Sequence, residues 1–387
     1  MRYAKLAAGT LFLTAFPAHA EDGVTADERG ITAQSGDLEL NLGGRLHLDA
    51  AVFDDPSIPD TGVTDAAVRR ARLELSGKLG KSLRFRVDRE FAGKSKGWRN
   101  LWLAYSPVDW LELKGGNLIV PFSMEDLQSS NSMPFVERSL ASGLAPGFGL
   151  GGAATANGKH WSASAGYFTD ALSNEVGQST ERGRGVAGRA TFAPINAHGN
   201  VIHFALAGER RSFDATEQLR FSADPGSTLA PRLMSSGAIG GLDHSWAWNG
   251  EAGAAFGPLL VQAQITEVRM SRPLAGDLSF SGQTVQAGWL VTGGRYGYAE
   301  KQGVFGGPNL KRGKGAIEVA ARYSRLDLDN ATVNRGIGRA ITGAANWYIN
   351  QNLRVMANYT DSRVHFPGTI TPDERNKVGV ARLQVNF

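Results

Sequence analysis

From residue 37 to the last residue, apolar side chains recur at almost every second position, and this period constrains the fold more than any other feature. A strand turns successive side chains to opposite faces, so a two-residue period sorts each segment into one apolar and one polar face. In "DLELNLGGRLHLDA" (37–50) Leu38, Leu40, Leu42, Leu46 and Leu48 share a face. Segment 260–267 sets Val261, Ala263 and Ile265 against Gln262, Gln264 and Thr266. Segment 352–360 sets Leu353, Val355, Ala357 and Tyr359 against Arg354, Met356, Asn358 and Thr360. The final residues set Ala381, Leu383, Val385 and Phe387 against Arg382, Gln384 and Asn386. Counting between turn signals gives about sixteen strands of roughly ten residues, the pattern of an all-β chain that crosses a bilayer as an antiparallel β-barrel. Soluble sandwiches alternate too, but not through so long a chain without an intervening helix. A propeller of this length would carry a repeat of about 40 residues with blade motifs, and the sequence has none.

The first residues address the chain for export. Arg2 and Lys5 precede an apolar run (6–16) and the small-x-small site Ala18-His19-Ala20, which reads as a signal peptide over 1–20. The mature chain is then a single barrel domain over 21–387. The run is too short to span a bilayer as a helix, and no other segment approaches about 20 uninterrupted apolar residues. There is no cysteine, hence no disulfide and no cysteine for a lipid anchor. The 49 glycines suit many short strands and turns better than helices. A formal charge of +4 over 387 residues does not support nucleic acid as a partner. Trp161, Tyr167, Trp246, Trp248, Trp289, Tyr323, Trp347 and Tyr359 fall on apolar faces, as in the aromatic girdles at membrane surfaces. These features place the chain in a Gram-negative outer membrane, in contact with its lipid. The C-terminal strand ending in Phe387 is the expected handle for the barrel-assembly machinery. Linkers are short except for 170–183 and 213–236, which read as external loops, and 119–147.

The stretch "RRARLELSGKLGKSLRFRVDRE" (69–90) reads as a hairpin with two unlike faces. Ala71, Leu73, Leu75, Leu83, Phe85 and Val87 take one face; Arg70, Arg72, Glu74, Ser76, Arg84, Arg86, Asp88 and Glu90 take the other. Arginine at the bilayer midplane on the lipid side costs about 2–4 kcal/mol, so the charged face belongs to the lumen. Arg69 and Arg89 fall out of phase and are expected at strand ends or a bulge. A lumenal arginine row attracts anions and offers paired N–H donors to phosphate oxygens. The interleaved carboxylates leave a second reading open, in which arginines and acids form a wall network with only mild anion preference.

Segment 113–142, "LKGGNLIVPFSMEDLQSSNSMPFVERSLAS", resembles the phosphate-selective porin O and P family. The resemblance rests on Gly116, Pro121, Phe122, Ser123, Glu125, Ser129, Ser130, Glu137 and Arg138. Segments 30–50, 69–77, 288–298, 315–328 and 343–360 resemble it as well. The resemblance implies a homotrimer of sixteen-stranded barrels, each narrowed by an inward-folded third loop (119–147). It also implies an anion constriction built with Arg45, Arg69 and Arg70. "PFSMEDL" suits a short helical turn there. Two departures weaken the local positive potential: Asn131 stands where phosphate-specific members carry a lysine, and Ile119 where many relatives carry a basic residue.

The expected function is therefore passive diffusion of small anions, extending to phosphate or polyphosphate. Arg45, Arg69, Arg70, Arg72, Arg84 and Arg86 would supply the positive wall, with Ser129, Ser130 and Asn131 at the constriction. A general, weakly selective porin is the alternative, followed by a barrel with an enzymatic or structural role. Neither a nucleophile elbow nor a P-loop is present, and no histidine pair has metal-ligand spacing. No catalytic residue, metal or cofactor is therefore expected.

Overall fold

The computed structural model describes residues 23–27, 30–54, 62–172, 183–197, 199–310, 315–330, 335–370 and 372–387. The expected signal peptide and most of loop 170–183 lie outside the described residues. The wall begins with β1 (Leu38–Asp54), β2 (Gly62–Leu79), β3 (Leu83–Glu90) and β4 (Gly97–Val108). It continues through β5 (Leu111–Ile119), β6 (Phe148–Asn157), β7 (Trp161–Thr169) and β8 (Arg184–Ala197). Then follow β9 (Asn200–Ser212), β10 (His244–Phe256), β11 (Leu259–Ser271) and β12 (Leu278–Leu290). The last four are β13 (Ala316–Asp327), β14 (Ile337–Tyr348), β15 (Leu353–His365) and β16 (Glu374–Asn386). Consecutive strands pair antiparallel, and β16 returns to pair with β1 from Val378↔Phe53 to Asn386↔Arg45. The result is a closed sixteen-stranded barrel. Two short strands, Gly23–Asp27 and Gly30–Ser35, add onto the start of β1.

Burial follows the alternation. On β15, Arg354, Met356, Asn358 and Thr360 are buried while Val355 and Tyr359 are exposed. All eight girdle aromatics named from the sequence are exposed on the outer wall, each at 40% or more. No described helix is long and apolar enough to cross a membrane; the crossing is made by strands. Turns after β2, β4, β6, β8, β10 and β14 are short and lie at the end that carries the C-terminus. By the polarity of outer-membrane barrels this end faces the periplasm, and the longer loops face outward.

Two segments depart from the sequence reading. Residues 213–243 do not project as an external loop. They fold into the barrel, where Leu219, Phe221, Leu233, Met234 and Ile239 are buried against Phe280, Met270 and Leu326 of the wall. The polar, Gly- and Pro-containing composition conceals apolar residues that follow no period, and these bury wherever the inner wall offers an apolar patch. The second is the long connection on the periplasmic side between β12 and β13, described over 291–310. It forms a hairpin, Tyr296–Ala299 with Val304–Pro308, whose Phe305 packs with Met124, Val201, Leu260 and Leu290. Its local pattern is that of a strand, and nothing local separates a wall strand from a plug.

Gly116 in β5 has φ +133°, and a Cβ there would lie 2.1 Å from the Leu101 carbonyl oxygen and 2.8 Å from Trp102 Cα. At neighbouring Gly115 the nearest atom would be 3.9 Å away. Gly116→Ala should destabilise the barrel by about 1–3 kcal/mol. A lowered urea midpoint for the barrel folded in vesicles would register it, whereas Gly115→Ala should leave the midpoint nearly unchanged.

Candidate functional site

The constriction begins where β5 ends. Phe122 is fully buried, Ser123 Oγ donates to Gln264 Oε1 at 3.1 Å, and the Met124 amide donates to Glu251 Oε1 at 2.8 Å. These contacts turn the chain inward into one helical turn, α1 (Met124–Leu127), over part of the segment read as helical. The last carbonyls of so short a helix have no partner of their own. Arg138 supplies one, donating to the carbonyls of Glu125, Asp126 and Gln128 at 2.9, 3.2 and 3.0 Å. Glu125 in turn accepts from the Ser139 amide at 2.7 Å and its hydroxyl at 2.6 Å. The motif residues Glu125 and Arg138 thus act as scaffold.

The loop is then tied to the far wall. Arg354 donates to the carbonyls of Asn131 at 3.3 Å and Met133 at 2.7 Å. Arg322 donates to that of Glu137 at 2.9 Å. Arg382 forms a two-pronged pair with Asp49 at 2.6 and 2.7 Å and reaches Glu137 at 3.3 Å. The register of β1 on β2 slips between His47↔Arg70 and Leu48↔Val68, leaving Arg69 without a partner residue. This bulge turns both Arg69 and Arg70 inward. Arg69 grips Glu137 through two bonds of 2.6 and 2.9 Å. Burial disfavours the Glu137 charge, but Arg69, with Arg382 and Arg70 nearby, holds its carboxyl down at about 2.

With the loop laid on β10–β16, an open cavity of about 700 Å³ runs along β1–β8. Arg45, Arg70, Arg72, Arg84, Arg86, Ser129 and Ser130 all line it. Arg45 donates to Ser130 Oγ at 3.1 Å and Ser129 Oγ at 3.5 Å and pairs with Glu74. The interleaved carboxylates engage the row. Arg72 lies 3.3 Å from Glu90 and 3.9 Å from Asp88, and Arg86 lies 2.7 Å from Glu74 and 3.0 Å from Asp88. Arg84 pairs with Glu112. Arg70 is the most loosely held, 3.7 Å from a Glu90 that already serves Arg72 and the Ala71 amide. Two of the expected residues lie outside the lining. Arg69 is committed to the loop, and Asn131 turns its side chain to His47 Nε2 at 3.3 Å.

Arg99, Lys114, Arg189 and Lys301, which sequence reasoning missed, also line the cavity, as does Arg138, which it named only as a motif residue. In all, ten basic side chains and four carboxylates do so among the described residues. Lys114 could have been found, since it alternates with Leu113 on a strand. Lys301 could not, because the periplasmic hairpin that carries it was not recognised. Arg189 fixes that hairpin, donating to the carbonyls of Gln302 at 2.7 Å and Gly303 at 2.8 Å while pairing with Glu251 at 2.5 Å. The Gln128 amide reaches the Phe305 carbonyl at 2.9 Å, and the Tyr296 hydroxyl reaches Glu318 at 2.8 Å. Loop and hairpin therefore brace each other across the lumen.

A closed barrel with a polar, ion-paired lumen narrowed by an inward loop is an outer-membrane porin. The chain belongs to the phosphate-selective porin O and P family, whose profile matches residues 40–387. It is 25% identical over 409 residues to Porin O of Pseudomonas aeruginosa, covering 95% of this chain and 93% of that one. Among solved structures it shares the fold of OmpT, an outer membrane protein of Vibrio cholerae, with a TM-score of 0.58 at 10% identity. That match covers 92% of this chain and 99% of OmpT. The outer membrane channel DcaP of Acinetobacter baumannii aligns with a TM-score of 0.56 at 12% identity, covering 90% of this chain and 97% of DcaP. These likenesses place the protein in the Gram-negative outer membrane.

The Glu137 carboxyl sits at about 2 against an ordinary 4.5. Its depressed value means that the clamp contributes fully above about pH 4.5 and is lost as pH falls toward 2. Single-channel conductance should therefore hold steady from neutral pH down to that point. Glu137→Gln leaves Arg69 without its carboxylate and should cost about 3 kcal/mol. At neutral pH this variant should show the enlarged, noisy currents that the unaltered channel shows only in strong acid.

Proposed function

We propose that the protein is a passive diffusion channel for small anions, with phosphate and polyphosphate within its range. The observation that carries this reading is the excess of basic groups around the cavity, above all Arg45, Arg70 and Arg72 facing Ser129 and Ser130. Arginine presents paired N–H donors to oxyanions, and hydroxyl groups replace part of the hydration shell. Alternate residues on a strand stand about 6.6–7 Å apart, so an anion passes between neighbouring weak sites. The carboxylates keep those sites weak: each arginine already shares a negative partner, so no single position becomes a trap. Transport of this kind breaks no bond and needs no catalytic group. The working unit is a homotrimer of the mature chain, released from the signal peptide 1–20 and inserted through its C-terminal strand.

A weakly selective porin for small hydrophilic solutes is the second reading. It is favoured by the carboxylate partners of Arg45, Arg72 and Arg86 and by Asn131, which contributes no charge where phosphate-specific relatives carry lysine. Planar-bilayer recordings separate the two. Zero-current potentials in a salt gradient should show anion preference, and added phosphate should reduce chloride conductance. In the Arg45→Gln/Arg70→Gln variant the phosphate block should weaken by roughly tenfold or more and the potential should move toward the cation side. Cation preference in the unaltered channel would overturn the anion path and leave the porin assignment standing. Absence of stable channels would instead favour an enzymatic or structural barrel.

A further inference from the structure

The outer wall carries a second arginine row that has no part in the lumen. Near the long-loop end of β13–β16, Arg325, Arg339, Arg363 and Arg375 all point outward. The register sets them side by side: Arg325↔Arg339, Arg339↔Arg363 and Arg363↔Arg375. Adjacent strands are about 4.8 Å apart, so four guanidinium stems stand in one line across four strands. Like charges placed directly opposite each other destabilise a sheet, and the outermost two are relieved locally. Arg325 pairs with Asp327 at 2.7 Å, and Arg375 donates to Asp361 at 3.0 Å through Nε. The other charges nearby are Lys377, which lies opposite Asp361 in the register, Glu374, and the His365–Asp373 pair at 2.8 Å. Arg339 and Arg363, in the middle of the row, are exposed, and neither has an ion pair of its own among the described residues; Asp361, two positions from Arg363 on the same face, acts on it electrostatically but is bonded to Arg375.

The depth of the row identifies what meets it. One outward position closer to the membrane centre, Tyr323 stands opposite Ile341, 41% and 65% exposed, and Tyr359 lies a further step in at 54%. Aromatic residues mark the boundary between hydrocarbon and headgroups. The arginine row, just beyond them on the outward-facing side, lies at the depth of the outer-leaflet headgroups. We propose that Arg339 and Arg363, flanked by Arg325 and Arg375, bind the phosphate groups of the outer-leaflet glycolipid. Guanidinium N–H pairs match phosphate oxygens, and the lipid's negative charges would remove the repulsion that the register imposes. The inference depends on residence in the outer membrane and not on what the lumen conducts.

The test is binding of bisphosphorylated lipid A to the purified porin in detergent, measured by native mass spectrometry. Arg339→Gln/Arg363→Gln should weaken binding by roughly 30-fold, and Arg339→Lys/Arg363→Lys should keep most of it. Lipid A stripped of phosphate should bind weakly to all three proteins, and inorganic phosphate at matching concentration should not compete. Conductance and ion preference should be identical in all three, since the row does not touch the lumen. Undiminished lipid A binding by the glutamine variant would overturn the proposal, as would equal binding of the phosphate-free lipid. Displacement by inorganic phosphate would reassign the row to the free ion. Dissociation of an oligomer in the glutamine variant would reassign it to a subunit contact.

Discussion

A backbone N–H or C=O that faces hydrocarbon has no water to bond, so a sheet in a bilayer must leave no edge. Here that requirement is met by the ladder between β16 and β1, which joins the two ends of the wall. Once the wall is closed, every strand has a lipid side and a lumen side, and the two-residue period assigns each residue to one of them. The arginines of β2 and β3 must then face inward, because the outward choice places several guanidinium groups in hydrocarbon at once. Their crowding inside the channel follows from closure as much as from the sequence of the hairpin itself.

Inside, the same charges serve two ends. On the β10–β16 side, Arg322, Arg354 and Arg382 are buried and spend their donors on loop carbonyls and on Asp49 and Glu137. A buried arginine needs such partners, since an unpaired charge away from water costs several kcal/mol. On the opposite side Arg45, Arg70 and Arg72 are buried as well, but they line the open cavity together with the more exposed Arg84 and Arg86, and neighbouring carboxylates share their charge. The loop and the periplasmic hairpin therefore divide the lumen into a packed half and a conducting half. Glu251 links the two inserts: it accepts from the Met124 amide of the loop and pairs with the Arg189 that holds the hairpin.

Much of the wall was legible in the sequence. The alternation in 260–267, 352–360 and the last strand predicts burial residue by residue, and the number of strands follows from the turns. A regular period reports a regular environment, so lipid on one side and polar lumen on the other leave a clear signature. The inserts leave none. The described parts of these inserts pack against particular inner-wall residues that are distant in the chain, Phe280 and Leu326 for 213–243 and Val201 and Leu260 for the hairpin that carries Phe305. Arg69 shows the same limit at the scale of one side chain. Its being out of phase pointed to a strand end or a bulge, but only the position of Glu137 decides that it clamps the loop instead of lining the cavity.

The sequence by itself determined the class of fold, the sidedness of each strand and the presence of a charged lumen. These depend on local spacing and on the cost of placing charge in hydrocarbon, and neither needs distant contacts. The tertiary structure decided which arginines stay near solvent, which carboxylate tempers each of them, and where the inserts leave room to pass. Those outcomes depend on distances between residues hundreds of positions apart, such as Asp49 and Arg382. Closure of the barrel brings such pairs together, and no local pattern records them.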